Sequence, residues 1–186
     1  MNAQLMQRTN EYQGRQSTDV MQHCQYLTFM LDGEIYGIGI LAIKEIIEYG
    51  QITSVPMMPV SIRGVINLRG QVVPVIYLAV RFGHQERTVA RRTCIVIVEI
   101  EQQGEWQLIG VMVDAVNEVI ELAPRDIEPP PMFGAKIRHD YIEGMGKVEG
   151  RFVILLNVNQ VLAVEDMARA MELSGNGASE PATTLS

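Results

Sequence analysis

Cysteine is scarce in this sequence, and its scarcity excludes a fold held together by disulfides. Only Cys24 and Cys94 occur among 186 residues. Two cysteines do not make the framework on which small secreted proteins depend. Cys94 lies in the apolar run TCIVIV, where we expect it to pack as a small hydrophobic side chain.

Long apolar runs are also absent. No run approaches the roughly 18 residues that a membrane-spanning helix needs. The first residues, MNAQLMQRTNEYQGRQ, lack the apolar core of a signal peptide. We therefore expect a cytoplasmic protein without direct membrane insertion.

Basic and aromatic residues are too few for a nucleic-acid-binding surface. The formal net charge is -7 and aromatic residues make up 6% of the chain. The densest basic cluster, RTVARR at residues 87–92, is typical of a solvated loop. An OB-like nucleic-acid protein, one alternative for a small β-barrel, would need basic residues interleaved with aromatics. We therefore expect no nucleic-acid partner.

Catalytic motifs are missing as well. His23, His84 and His139 are widely separated, without metal-ligand spacing, and the chain has no P-loop, nucleophile elbow or glycine-rich dinucleotide motif. Asp114, which follows the apolar run GVMV, is the one candidate base, but a lone strand-end aspartate is more often a hydrogen-bonded structural group. We predict no catalytic residue, no metal and no cofactor. A small β-barrel enzyme or nucleotide binder that uses Asp114 and a histidine is the alternative.

The chain does contain many short apolar segments separated by turn signals. Apolar residues make up 47% of it, enough for a sizeable core. The pattern predicts a mainly β protein of eight to ten strands with few helices and a C-terminal helix over 163–173. The segment IKEIIEYG fits a strand or a helix, and Pro74 predicts an edge strand or a bulge. We expect one folded domain over 23–173, flanked by disordered tails at 1–22 and 174–186.

An internal repeat is the most informative feature. GIGILAIKEIIE at 37–48 matches GVMVDAVNEVIE at 110–121 without a gap. Likewise IRGVINLRGQVVPVIYL at 62–78 matches IEGMGKVEGRFVILLNV at 142–158. The paired glycines and glutamates in register predict two homologous barrel-like halves. Neither half is expected to fold alone, because about 70 residues make a thin core.

The repeat separates structure from function in GVINLRG. Its glycines recur in the second half, so a glycine-bounded turn is part of the shared scaffold. The charge does not recur, because Arg69 in the first half faces Glu149 in the second. A turn needs no arginine, so Arg69 is a candidate for a role other than forming the turn.

The blocks YLTF, YGI, IKEI, GVINLRG with VPV, and VMVDAVNEVI, taken in this order, resemble the CheW family of chemotaxis coupling proteins. The resemblance runs from about Gln25 to Met167. It implies two intertwined five-stranded SH3-like β-barrels with short helices. It also implies a non-enzymatic scaffold that couples the cytoplasmic tip of a methyl-accepting chemoreceptor to the regulatory domain of a CheA-type histidine kinase, in receptor arrays at the membrane.

Site residues follow from the same resemblance. It implies a groove between the halves that takes the receptor helix, with Arg69, Gly64 and Val119 at the receptor site. It places Ile43 and Glu45 on the stretch that contacts the kinase.

Two positions depart from the family pattern. Gly39 replaces a common aspartate, and Tyr77 stands where an aspartate often precedes the leucine. A paralogue that serves a separate, non-flagellar chemosensory array is therefore the alternative function.

Overall fold

The computed structural model describes residues 23–132 and 138–163. These residues form eleven strands and two four-residue helices. The strands are Cys24–Leu31 (β1), Glu34–Gly39 (β2), Ile43–Glu48 (β3), Ile62–Leu68 (β4), Gln71–Tyr77 (β5), Cys94–Gln102 (β6), Glu105–Val113 (β7), Ala115–Leu122 (β8), Ile127–Glu128 (β9), Ile142–Val148 (β10) and Arg151–Leu156 (β11). The helices are Leu78–Arg81 (α1) and Val158–Val161 (α2).

The mainly β prediction is therefore confirmed, and IKEIIE is a strand. The tails predicted at 1–22 and 174–186 lie outside the described residues, as does the C-terminal helix predicted over 163–173 except for Ala163. Among the described residues, no helix has the length and apolarity to span a membrane.

The strands form two sheets that exchange their first hairpins. One sheet has the order β8-β1-β2-β11-β10-β9, and the other has the order β3-β6-β7-β5-β4. The hairpin that begins each repeat, β1–β2 or β6–β7, thus belongs to the sheet built by the later strands of the other repeat. Two parallel pairings, β11 with β2 and β5 with β7, join the exchanged hairpins to their new neighbours. This exchange of hairpins is how the two halves are intertwined.

The strand count differs between the sheets for one local reason. The prediction of five strands per half holds for the second sheet, while the first has six because β9 pairs with β10 over two residues. The corresponding segment of the first repeat makes only a single bridge, Thr53 to Val65.

Pro74 is not on an edge strand, because β5 lies between β7 and β4. The strand register explains why proline is tolerated there. Pairing of β5 with β7 begins only at Val75, so Pro74 faces a neighbouring strand on one side, where it pairs with Val65. The expectation of an edge strand or a bulge at Pro74 was therefore wrong. The reason behind it still applies, because proline stands where the ladder needs no backbone N–H donor.

The repeated hairpins turn through two residues with left-handed backbone. Arg69 and Gly70 have φ values of 52° and 88°, and Glu149 and Gly150 have 49° and 77°. Positive φ at both central residues defines the type I′ turn, which suits the right-handed twist of paired strands. The Asn67 side chain accepts a hydrogen bond from the Gly70 N–H at 2.7 Å and fixes the first turn.

Gly64 is required for a close backbone approach. Its φ is +149°, and a Cβ there would overlap the carbonyl oxygen of Thr53 and come within 2.7 Å of Ile52 Cγ2. The bridge between Thr53 and Val65 brings that segment onto β4. This glycine is therefore buried beneath a neighbouring segment.

One core cluster joins the two sheets. It includes Phe29 and Tyr36 of the first sheet together with Ile97 and Val111 of the second, all essentially inaccessible to solvent. Because the main core has contributors from both repeats, neither repeat retains an intact core without the other.

Candidate partner-binding sites

A groove opens where the chain passes from one sheet to the other. It has a volume of about 660 Å³ and is lined by the start of β1, the link between β2 and β3, the end of β8, the start of β10 and α2. The link is a 3₁₀ turn over Ile40–Ala42. We call this feature the crossover groove.

Leu41 is the apolar feature of the crossover groove that folding does not explain. Its side chain is 96% exposed at the centre of the 3₁₀ turn. In the sequence repeat Leu41 corresponds to Asp114, so an exposed leucine is not a requirement of the shared scaffold. An isolated exposed leucine is ordinary on a protein surface, but one that lines a groove is available as a docking contact.

The crossover groove is acidic. Its lining includes Glu121, Glu143 and Tyr26. His23 Nδ1 lies 2.9 Å from Glu121 Oε1, so Glu121 has a partner. Desolvation raises the pKa of the Glu143 carboxyl, although the residue as a whole is exposed. Burial, followed by the charges of Glu143 and Cys24, raises the pKa of Tyr26 to about 12.

A second surface is formed by the turn after β4 and the edge strand β3. The Arg69 guanidinium donates a hydrogen bond to Glu45 Oε2 at 2.8 Å. The Arg69 side chain is 77% exposed and that of Glu45 is 27% exposed. We call this pair and its neighbours on β3 the Arg69–Glu45 face. The pair joins Arg69, which the resemblance assigns to receptor binding, with Glu45, which the resemblance assigns to kinase binding.

The remaining assigned residues have different environments. Ile43 is partly buried and packs against the main core. Val119 is 49% exposed on the edge strand β8, opposite Leu27 of β1. Gly64 is buried. None of Arg69, Gly64 and Val119 lines the crossover groove as the described residues define it.

Sequence reasoning did not find the residues that give the groove its character. Leu41, Tyr26 and Glu143 sit in short apolar stretches that read as ordinary strand sequence. One signal was available, because Leu41 against Asp114 breaks the polarity match in an otherwise well-matched repeat.

The structure shows Asp114 in a structural role. Its Oδ2 accepts a hydrogen bond from the Asp32 N–H at 2.8 Å, which ties β7–β8 to the turn after β1. The Asp32 carboxylate in turn pairs with His84 Nδ1 at 2.7 Å and with Arg87. Within residues 23–132 and 138–163 no cluster of histidine, cysteine and carboxylate side chains could hold a metal.

Comparison with known proteins identifies the family of this chain. A family model described as "CheW-like domain" matches residues 25–166. The chemotaxis protein CheW of Klebsiella aerogenes is 35% identical over 144 residues, which cover 77% of this chain and 84% of the relative. The CheW of Bacillus subtilis is 34% identical over 145 residues, which cover 78% and 90%.

A solved structure gives the same result. The scaffolding protein TtCheW from Thermoanaerobacter tengcongensis aligns with a TM-score of 0.68 and 37% sequence identity, over 75% of this chain and 87% of that one. The family model and the relatives together show that the chain belongs to the CheW family of chemotaxis proteins, which are scaffold adaptors and not enzymes.

Proposed function

We propose that this protein couples the cytoplasmic tip of a methyl-accepting chemoreceptor to the regulatory domain of a CheA-type histidine kinase. It acts in the cytoplasm, recruited to receptor arrays at the membrane. The observation that carries the proposal is membership of the CheW family, and two exposed features support it, the crossover groove and the Arg69–Glu45 face.

The crossover groove is the proposed receptor site. Its exposed Leu41 offers an aliphatic contact to a helix from a partner. Helices commonly dock in this way by laying an apolar stripe into a groove. Val119 lies on β8, the strand whose far end contributes Glu121 to the groove, and extends the same site along the sheet edge.

The Arg69–Glu45 face is the proposed junction between receptor and kinase. β3 and β8 are repeat-equivalent edge strands, and their equivalent residues Ile46 and Val119 are 46% and 49% exposed. A kinase domain of the same fold could meet β3 edge to edge, with Ile43 supporting the strand and Glu45 in the contact. Arg69 reaches from its turn to Glu45, so it can serve the receptor while its partner residue serves the kinase. Gly64 contributes indirectly, because it shapes the hairpin that carries Arg69.

Co-sedimentation tests this assignment. The intact chain is mixed with a receptor tip fragment and with a kinase, and each complex is pelleted separately. Leu41→Asp should lose the receptor and keep the kinase, whereas Glu45→Arg should lose the kinase. Glu149→Arg, at the equivalent turn of the other repeat, is the control and should lose neither. Failure of the unaltered chain to sediment with either partner, or equal losses in all three variants, would refute the proposal.

One observation favours service in a separate, non-flagellar array. Gly39, which departs from the family pattern, lines the crossover groove. The missing aspartate therefore changes the surface that we assign to the receptor. Tyr77, the other departure, is buried, and its hydroxyl accepts a hydrogen bond from the Arg87 N–H at 3.4 Å, so it alters the interior instead. Co-sedimentation with receptors of each array separates the two cases.

A further inference from the structure

A bulge in β10 turns Glu143 toward the crossover groove. Ile142 pairs with Leu156 and Gly144 with Leu155, so Glu143 is an extra residue without a partner in the ladder. Bulges of this kind redirect a side chain out of the regular alternation. Glu143 accordingly appears in the lining of the groove.

The other repeat has the same bulge with the opposite charge. Ile62 pairs with Ile76 and Gly64 with Val75, which leaves Arg63 as the extra residue. Arg63 forms an ion pair with Glu86 and is therefore satisfied within the chain.

Glu143 differs from Arg63 in its ion pairing. No basic side chain pairs with it in the part of the chain that the structure describes. The other ionisable groups of the groove are Tyr26, Cys24, Glu121 and His23, and His23 is already engaged with Glu121. Desolvation raises the pKa of Glu143, which is the expected response of a carboxyl that has lost water and gained no cation.

We propose that the crossover groove selects a helix that carries a lysine or arginine beside its aliphatic stripe, and that Glu143 receives this cation while Leu41 packs against the stripe. The argument is charge complementarity, because a carboxylate without a basic partner among the described residues lines the same groove as an exposed leucine, and a helix that brings both a cation and an aliphatic stripe complements both features. The inference rests on the proposed function, because the helix is taken to be that of the receptor tip. It adds that this receptor helix carries a lysine or arginine beside its aliphatic stripe.

Three helical peptides of equal length test the selection. They share one leucine stripe and differ at a single flanking position, which is Lys, Gln or Glu. Each is labelled, and its affinity for the intact chain is measured by fluorescence anisotropy. We expect the Lys peptide to bind about tenfold more tightly than the Gln peptide, and the Glu peptide to bind more weakly than either.

Variants of the chain assign the preference to one carboxylate. In Glu143→Gln the advantage of the Lys peptide over the Gln peptide should fall to about twofold or less. In Glu143→Lys the order should reverse, so that the Glu peptide binds most tightly. Leu41→Ala should weaken all three peptides by a similar factor. Glu149→Gln, which removes a carboxylate outside the groove, is the matched control and should keep the full preference.

Several outcomes would overturn the inference. Equal affinities for the three peptides, an unchanged preference in Glu143→Gln, or no measurable binding of any peptide would each do so. Self-association of the unaltered chain that Glu143→Gln abolishes would also overturn it, because a second copy would then occupy the groove. Co-sedimentation with receptor and kinase is scored separately, so the coupling function can survive the failure of this selection. Circular dichroism checks that each variant is folded.

Discussion

Replacement of Gly64 by alanine is the sharpest test of the fold, because the resemblance assigns Gly64 to a binding site and the structure buries it. A Cβ at Gly64 would overlap Thr53 O and approach Ile52 Cγ2 to 2.7 Å. The backbone φ of +149° is in a region that side chains rarely adopt. Gly64→Ala should therefore destabilise the protein and displace the segment that carries Thr53.

The magnitude follows from two terms. Backbone strain of this kind costs about 1–3 kcal/mol, and overpacking a filled site costs about 1–3 kcal/mol. We expect a loss of about 3 kcal/mol or more, which in a domain of this size lowers Tm by roughly 6–12 °C.

Gly144, the repeat equivalent, provides a matched control. A Cβ there would meet Ile127 Cγ2 at 2.6 Å, the end of a side chain that can move, and Glu128 O at 3.2 Å. Its φ lies outside the left-handed region. We expect Gly144→Ala to cost about 1 kcal/mol, or roughly 2–4 °C in Tm.

Thermal and denaturant unfolding of both variants, followed by circular dichroism, measure the difference. A Gly64→Ala variant as stable as the unaltered chain would refute the close approach of Thr53. Loss of receptor binding at unchanged stability would show that Gly64 contacts the receptor directly. Equal destabilisation by the two substitutions would show that the positive φ and the rigid carbonyl are not the dominant cost.

Three further predictions concern charged side chains. Arg69→Asn should have a free energy of unfolding in urea that equals that of the unaltered chain or exceeds it by about 0.5–1 kcal/mol, because asparagine tolerates the φ of 52°. The same variant should lose receptor binding in co-sedimentation. A marked loss of stability would show that Arg69 is a structural residue. Arg69→Glu should cost less than about 1 kcal/mol of stability because the ion pair with Glu45 is exposed, and adding Glu45→Arg should restore that loss in a denaturant titration; a double variant less stable than the single would contradict the pairing. Since the folded-state pKa of Glu143 is raised, folding favours its protonated form, so stability from this group is present at low pH and is lost as pH rises through the folded pKa. Glu143→Gln should therefore have a higher Tm than the unaltered chain at neutral pH, with the difference vanishing below about pH 4, where the carboxyl is protonated in both states; a constant difference across pH would refute desolvation as its cause.

The sequence predicted the features that backbone chemistry dictates. Paired glycines at Gly70 and Gly150 predicted the repeated turns because few residues adopt positive φ without strain. The matched blocks predicted two related halves, because a duplicated scaffold repeats the same backbone requirements. The structural role of Asp114 could be weighed correctly from its isolation alone, since a base needs partners that the chain does not supply nearby.

The sequence did not predict features that depend on which strands meet. Exchange of the first hairpins follows from tertiary packing, and no local pattern in either repeat records it. The crossover groove is a product of that exchange, so Leu41 and Glu143 are 102 positions apart in the chain and line one cavity. The bulge that redirects Glu143 is likewise visible only from the register of β10 on β11.

The repeat and the exchange together explain how one small scaffold can serve two different partners. Duplication preserves the backbone at each turn and bulge, while the charges at those positions are inverted, with Arg63 against Glu143 and Arg69 against Glu149. Equivalent places on the two sheets therefore carry side chains of opposite charge, although Arg63 and Arg69 are paired within the chain with Glu86 and Glu45. Only four positions separate Leu41 in the crossover groove from Glu45 on β3, so they are at most about 14 Å apart along the chain. In the function that we propose, a helix that packs on Leu41 would therefore contact the same short segment that presents Glu45 to the kinase.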